Sequence, residues 1–509
     1  MPVFAAIDIG ANSVRLMISR LALHRLQVLH QDREVTRLGE SVFRTGALST
    51  DAMAHTVEVL QRFHRVVQKF GAESVRVVAT SPLRDARNAT AFIDWVGAAT
   101  GWRVEVISGL EEGRLIHLAV VANTQSARGK ALLLDLGGGS CEITLSERGE
   151  IRQIFSLPLG AVRLTQEFLR RDPPKKKELE RLRSFVREEL ARIHGRLASR
   201  RGTATQIRAV VATSGTAAAL AGAIQKSRTA REMSVPRRAV QKLAVNLAKL
   251  TREQRSAMPG IGTRRAEIIV AGATVFSELL GALNLPGFRY SPLGLRDGLL
   301  AQMSADYDQG TQFRRQIENE RRNALVNTAR HYAVDLKFAE HVRFLALKLF
   351  AGMKALHQLP AEFEEWLAAA AMLQEVGSYL NRSGRRRHSY YIIIHSEIFG
   401  YTVHQRALIA AIARFVGKSR PSSDSRQVRL LSPAERNHVQ KAIILLRLAR
   451  ALNLGRRSAV RDVRVRVRGD RIELSLIAAR SGADLEMWAL LKEGDYFREV
   501  FGRELAILA

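Results

Sequence analysis

Two short stretches of this chain place an aspartate at the end of an apolar run, immediately before a glycine turn. Residues 3–9 read VFAAIDI and lead into Gly10, Asn12 and Ser13; residues 131–136 read ALLLDL and lead into Gly137, Gly138, Gly139 and Ser140. Glycine lets backbone N–H groups approach an oxyanion without a side chain in the way, and a serine hydroxyl adds a donor. These seven residues are therefore candidate phosphate contacts. One such loop is weak evidence, because a tight turn also needs glycine. Two loops, each with an aspartate at the same offset, are much more specific. Asp8 and Asp135 stand where carboxylates can hold Mg²⁺, directly or through water, and Glu142 on the next strand can complete that shell. Taken alone, Glu142 would be an exposed strand carboxylate.

Two further segments carry chemistry. In Ser108-Gly-Leu-Glu111-Glu112-Gly113, adjacent carboxylates sit at a helix start, where capping and the helix macrodipole would explain them. Beside a phosphate site, one of the two can instead orient and deprotonate an attacking water. Arg84, in Thr80-Ser-Pro-Leu-Arg84, follows the end of a strand and can clamp a phosphate bidentately. The bland reading is a helix-start arginine.

The elements that must position these groups alternate between strand and helix. Val3–Ile9 and Val14–Ser19 form a hairpin signal, and helical spacing fills roughly 50–70 and 88–99. Val75–Ala79 and Val104–Ile107 are strands, and Leu110–Val121 is a helix. The second loop is followed by a strand at Glu142–Leu145, and a third apolar run, Ile207–Ala212, ends in Thr213-Ser214-Gly215-Thr216. The repeated Asp-x-Gly turn argues for an internal duplication within an α/β fold. Asp306–Gly310 reads as a linker, and about 315–455 reads as almost wholly helical. Val463, Val465 and Val467 then alternate with arginines ahead of Ile472–Leu476, the pattern of a small α/β appendage.

Composition bounds the possibilities. The chain has 509 residues, enough for three or four domains, and 79 Lys+Arg against 49 Asp+Glu leave a formal charge of +30. Such an excess draws polyanions, with a proteome of basic proteins as the bland alternative. The single cysteine, Cys141, has no intramolecular partner and fits a reducing cytoplasm as a small structural residue. The opening residues lack the order of a secretory signal, and no apolar run is long enough to span a bilayer.

The segments AIDIGANSVRL, ATSPLRDARN, VISGLEEGRL, LLLDLGGGSCEI, SLPLGAVRL, VVATSGTAAALA and SPLGLRDGLL occur in this order. Together they resemble the exopolyphosphatase / guanosine pentaphosphate phosphohydrolase (Ppx/GppA) family, a branch of the actin, sugar-kinase and heat-shock ATPase superfamily. The resemblance covers about 1–300 strongly and the helical remainder more loosely. It implies a duplicated, actin-like (ribonuclease H-like) α/β domain with subdomains at 1–124 and 125–305. It also implies Glu112 as catalytic base, Asp135 and Glu142 as magnesium carboxylates, Gly137–Ser140 as phosphate loop, and Asn12, Ser13 and Arg84 around the terminal phosphate. Cys141 stands where the family usually has threonine.

The region 315–457 resembles that family's all-α, HD-like domain, followed by the small α/β piece at 458–509. Gln374 stands where such domains carry histidine, and Arg382 and the segment Arg414–Lys418 likewise lack expected histidines. Glu375, Asn381 and His388 remain, too few for a metal site. Anion binding is the expected role, with basic clusters such as Arg385–Arg387 contributing. Met258–Ala266 resembles the hairpin of a DNA-binding helix-hairpin-helix, but the family has a similar turn at this position, which weighs against nucleic acid.

The expectation is a Mg²⁺-dependent exopolyphosphatase that releases terminal phosphate from inorganic polyphosphate. The alternative within the family is hydrolysis of guanosine pentaphosphate to the tetraphosphate. A non-catalytic polyanion-binding protein and an ATP-dependent kinase rank lower, since Glu112, Asp135 and Glu142 are intact and nothing specifies adenosine. No membrane partner is expected, and a homodimer is left open.

Overall fold

The computed structural model describes residues 1–508 except 125–126, 128, 199–206, 226–233, 309, 423–424, 426, 430 and 480–481, with backbone alone for 194–198. The chain divides into two compact units, Met1–Ile317 and Glu318–Ala509. Part of the expected linker is helical, since Asp306 and Tyr307 close the helix Leu295–Tyr307.

The first unit contains two sheets of matching topology. In the first, β1 (Val3–Ile9), β2 (Val14–Ala22), β3 (Arg25–Glu34), β4 (Ser74–Ala79) and β5 (Val104–Val106) lie in the order β3-β2-β1-β4-β5. The second sheet is formed by β6 (Lys130–Leu136), β7 (Cys141–Glu147), β8 (Glu150–Leu157), β9 (Ala209–Thr213), β10 (Ser234–Pro236) and β11 (Gly287–Tyr290), in the order β10-β11-β9-β6-β7-β8. In each, three antiparallel strands form a meander, and a later strand joins its first member in parallel: β4 beside β1, β9 beside β6. The strand β11 then takes the position that β5 has in the first sheet, and β10 adds an edge. The duplication expected from the two Asp-x-Gly turns is thus a duplication of topology.

The central strands explain themselves. Every residue of β1 is buried, and in β6 only Lys130 and Asp135 are not fully so. A continuous apolar run suits a strand covered on both faces. Helices cover those faces, as in Thr50–Lys69, which starts on a Ser49 cap and buries Val57, Leu60, Phe63 and Val67.

Two helices tie the halves together. The helix Gly109–Asn123 follows β5 of the first sheet but packs on β7 and β8 of the second. It lies close because Gly109 and Gly113 face the sheet: a Cβ at 109 would fall 2.0 Å from Ser156 Oγ, and one at 113 would fall 2.9 Å from Ile154 Cγ2. The helix Leu295–Tyr307 packs on Gly109–Asn123 and on β1, and Gly298 permits that approach, 2.0 Å separating its would-be Cβ from the Leu115 carbonyl oxygen.

The second unit is a set of helices, including Leu336–Gly352, Glu362–Leu373, Arg385–His395, Val403–Arg414 and Pro433–Ala451. They are followed by β12 (Val460–Arg468), β13 (Arg471–Ala478) and β14 (Glu504–Leu508), with two short helices between the last two strands. The strands expected around Val463–Val467 and Ile472–Leu476 are present, and they share a core with the helices. Val460, Val463, Ile472, Leu474 and Phe497 share one hydrophobic cluster with Leu345, Leu349, Ile443 and Leu446 of the helices. Among the described residues, no helix is long and apolar enough to cross a membrane.

Candidate active site

The two glycine turns close in the same way. Gly10 N–H donates to the Ser13 carbonyl at 3.2 Å, and Gly137 N–H to the Ser140 carbonyl at 2.9 Å. Each turn joins antiparallel strands whose register places the aspartate directly opposite the residue two past the loop serine. In the first hairpin the pair is Asp8 with Arg15, and in the second it is Asp135 with Glu142. The first pair is of opposite charge, and Arg15 lowers the Asp8 carboxyl against the effect of burial. The second sets two carboxylates across from one another, an arrangement that costs stability unless a cation is shared.

Glu112 joins that pair from the helix Gly109–Asn123. Carboxylate oxygens of Glu112, Asp135 and Glu142 lie within 4.8 Å of one another. Asp8 lines the same cavity but is not a member of this trio. The two adjacent glutamates are separated by the turn of the helix. Glu111 faces Arg114, fully buried, which donates to it through Nε and Nη2, each at 2.8 Å. Glu112 faces the cavity, where Arg84 Nη1 donates to it at 3.3 Å. Helix periodicity alone sends neighbouring side chains to different partners.

Arg84 spans the two halves. Its Nη1 also donates to the Ile107 carbonyl at 2.7 Å, and its Nη2 to Ser140 Oγ at 3.2 Å. The loops themselves meet: a Cβ at Gly138 would lie 2.8 Å from Ala11 Cβ and 3.4 Å from Asn12 N. Gly139 is pressed against Ser81, and Gly160 against the backbone of Gly138 and Gly139. Gly10, Asn12, Ser13, Gly137, Gly138, Gly139 and Ser140 all line one cavity of about 280 Å³, together with Asp8, Glu112 and Asp135.

Electrostatics in this cavity are set by burial. It raises the carboxyls of Asp8 and Asp135 above the ordinary range, Arg15 countering part of the effect at each. Glu142 is pushed to about 7, first by burial and then by Asp135. Glu112 rises well above its usual value for the same reasons, burial and then Glu142, against Arg84. Glu142 Oε1 accepts from Ser156 Oγ at 2.8 Å, while its Oε2 is buried without a hydrogen-bond partner among the described residues. Thr213 Oγ1 donates to Asp135. A buried acceptor without a donor, among three carboxylates that resist ionising together, matches what a hard divalent cation requires. The Asn12 amide nitrogen is a buried donor with no partner among the described residues, the complementary need of an anion.

Four arginines in the cavity lining were not singled out by sequence: Arg15, Arg33, Arg265 and Arg296. Arg265 comes from the turn that resembled a DNA-binding hairpin. Its guanidinium lies over Gly215, where a Cβ would meet Nη2 at 1.8 Å, and its Nη1 donates to Thr216 Oγ1 at 3.3 Å. Burial first, and then Arg15 and Arg33, hold it down to about 9. Burial and then Arg15 likewise bring Arg33 to about 10. No spacing rule connects these four positions, although Arg15 and Arg296 lie inside segments that carried the family resemblance. Cys141 is buried beside the loop, and burial followed by Glu142 and Asp135 raises its thiol well above the usual range, which keeps it neutral and unreactive.

The model of the Ppx/GppA phosphatase family matches residues 17–306, and that of Ppx/GppA phosphatase, domain III matches 321–493. Exopolyphosphatase 2 of Mycobacterium tuberculosis is 37% identical over 295 residues, spanning 54% of this chain and 89% of its own length. The crystal structure of the Aquifex aeolicus member of the Ppx/GppA family is 30% identical, with a TM-score of 0.51, over 60% of this chain and 99% of that one. An exopolyphosphatase structure from Cytophaga hutchinsonii is alike in fold, with a TM-score of 0.56 at 24% identity, over 61% of this chain and 99% of that one.

Proposed function

Because the chain belongs to the Ppx/GppA phosphatase family and is thereby a phosphoanhydride hydrolase, we propose that it releases terminal phosphate from inorganic polyphosphate in the cavity between the two glycine loops. The observation that carries this reading is the division of charge in the cavity. Glu112, Asp135 and Glu142, the first and last buried and Asp135 partly so, gather on one side, and backbone N–H groups with Arg15, Arg33, Arg265 and Arg296 line the rest. A short anionic chain end suits such a lining, and the chain's +30 charge suits the approach of a long polyanion.

In this reading the actin-like halves hold the terminal phosphate by the N–H groups of Gly137–Ser140 and by Asn12, Ser13 and Gly10. Arg84 takes one phosphate edge while fixing Glu112. Glu112 is the base: it accepts a proton from a water whose oxygen bonds to the terminal phosphorus in line with the departing chain, as the P–O bond to that chain breaks and its electron pair leaves on the chain's new terminal oxygen. A carboxyl raised by burial is a stronger base than one in water, so desolvation works toward the reaction. Asp135 and Glu142 would hold Mg²⁺, with Asp8 nearby, and the ion would neutralise charge on the transferring phosphoryl group. The remaining contribution of the protein is positioning.

The test is phosphate release from long polyphosphate, measured beside guanosine pentaphosphate with Mg²⁺ present. Turnover of polyphosphate is expected. Hydrolysis of guanosine pentaphosphate alone would transfer the assignment to the alternative substrate, and turnover of neither would refute it.

A further inference from the structure

The two hairpins that carry the aspartates each continue into a third strand, and the ladder across the three differs in charge between the halves. In the second sheet Asp135 stands opposite Glu142, and Glu142 opposite Ser156. In the first sheet Asp8 stands opposite Arg15, and Arg15 opposite Arg33. Where one half sets two carboxylates side by side, the other sets two guanidinium groups side by side, on strands about 4.8 Å apart. Like charges directly opposite each other on a sheet are destabilising unless a counter-ion is shared. Alternation along β3 separates Arg33 from its chain neighbours. Asp32 and Glu34 face Arg62 of the helix Thr50–Lys69, at 3.4 and 3.3 Å, while Arg33 lines the cavity with Arg15.

The donors of this pair are underused. Arg15 Nε reaches Ser13 Oγ at 3.4 Å, and Arg33 Nε and Nη2 are buried without an acceptor among the described residues. Neither guanidinium forms an ion pair among those residues. A buried fork of donors without acceptors matches an oxyanion with two free oxygens. Position in the cavity selects which oxyanion. Glu112 enters from the helix Gly109–Asn123, which packs on β7 and β8, so in the proposed reaction water approaches the terminal phosphorus from the second sheet's half. In-line displacement puts the departing oxygen on the opposite side of phosphorus, and Arg15 and Arg33 belong to the opposite half.

We propose that Arg33, paired with Arg15, holds the second phosphate of the substrate, the unit on which the electron pair of the broken P–O bond is left. No proton is needed at that oxygen. Water supplies the new P–O bond at the terminal phosphorus, Glu112 takes the proton, and the Arg33 N–H groups meet the charge that appears on the departing phosphate. Arg33 is thus a substrate-binding residue beyond the terminal-phosphate loops, and the full site takes two linked phosphates as its smallest ligand. This inference rests on the reading of the cavity as a phosphoanhydride site.

The probes are orthophosphate, pyrophosphate and tripolyphosphate, titrated calorimetrically with Mg²⁺ on the full-length chain in a Glu112→Gln background, which prevents turnover. With Arg33 present, pyrophosphate should bind about tenfold or more tighter than orthophosphate, since the second unit gains a charge-assisted fork. Arg33→Gln should remove most of that advantage, weaken tripolyphosphate by the same factor, and leave orthophosphate within about twofold. Thermal melting without phosphate checks folding. Where Arg33→Gln does not fold, Arg33→Lys, which keeps the charge and gives up the fork, carries the comparison. A pyrophosphate advantage that is absent with Arg33, or survives without it, overturns the proposal. So does an orthophosphate affinity that falls as far as that of pyrophosphate, which would put Arg33 on the terminal unit. Absence of polyphosphate turnover by the wild type refutes the catalytic reading by itself, while the titrations still decide for or against Arg33.

Discussion

Replacing Glu142 by glutamine separates stability from function at this site. Glu142 is 1% exposed and lies opposite Asp135, and burial together with that neighbour pushes its carboxyl from 4.5 to about 7. Between those values the folded chain keeps a proton that the unfolded chain has released. In the absence of divalent cation, stability attributable to this group therefore falls as pH rises from about 4.5 to about 7, and then levels off. The shift corresponds to a cost on the order of 3 kcal/mol at pH 8. Glu142→Gln removes the charge, preserves the shape and keeps an acceptor for Ser156 Oγ. In chelator at about pH 8 the variant should melt several degrees above the wild type, and near pH 4.5 the two should converge. Magnesium should raise the wild-type midpoint by mass action and leave the variant unmoved and inactive. Differential scanning calorimetry across this pH range, with chelator and then with Mg²⁺, supplies every comparison. A variant that melts at or below the wild type at pH 8 in chelator would show that Glu142 is not a strained carboxylate awaiting a cation.

The two adjacent glutamates should fail in opposite ways. Glu112→Gln is expected to lower kcat on the order of 10²-fold or more with binding retained, while Glu111→Gln keeps activity but loses stability, up to about 3–5 kcal/mol, because buried Arg114 loses its carboxylate. An inactive Glu111→Gln beside an active Glu112→Gln would reverse the roles. Arg84→Gln removes a charge that lowers Glu112, so the acid limb of the kcat–pH profile should move to higher pH; an unmoved limb would disconnect the two groups. Gly160→Ala would place a Cβ 2.2 Å from the Gly139 carbonyl carbon, so about 1–3 kcal/mol of stability and most activity should be lost in urea unfolding and turnover assays. Gly129→Ala, with nothing within 4 Å among the described residues, should behave as wild type and serves as the control.

The buried central strands, the glycine turns and the two aspartates were legible in sequence because each is a local pattern: an apolar run, a residue without a side chain, a fixed offset; the more exposed strand β3 and the edge strand β10 carry no such run and were not read. The sheet duplication followed from the recurrence of that pattern at Asp8 and Asp135. Other features depended on register or on long-range packing. The chain shows Glu142 seven residues after Asp135, but only antiparallel pairing across a closed turn places the two side by side, and it places Arg15 beside Asp8 by the same rule. Which of Glu111 and Glu112 faces the cavity depends on which face of the helix Gly109–Asn123 meets Arg114 and which meets Arg84. Arg33, Arg265 and Arg296 reach the cavity from distant segments, and an isolated arginine in sequence has no signature for that. Arg265 was hidden in a turn whose local form suggested DNA binding; its burial over Gly215 directs its charge into the cavity instead.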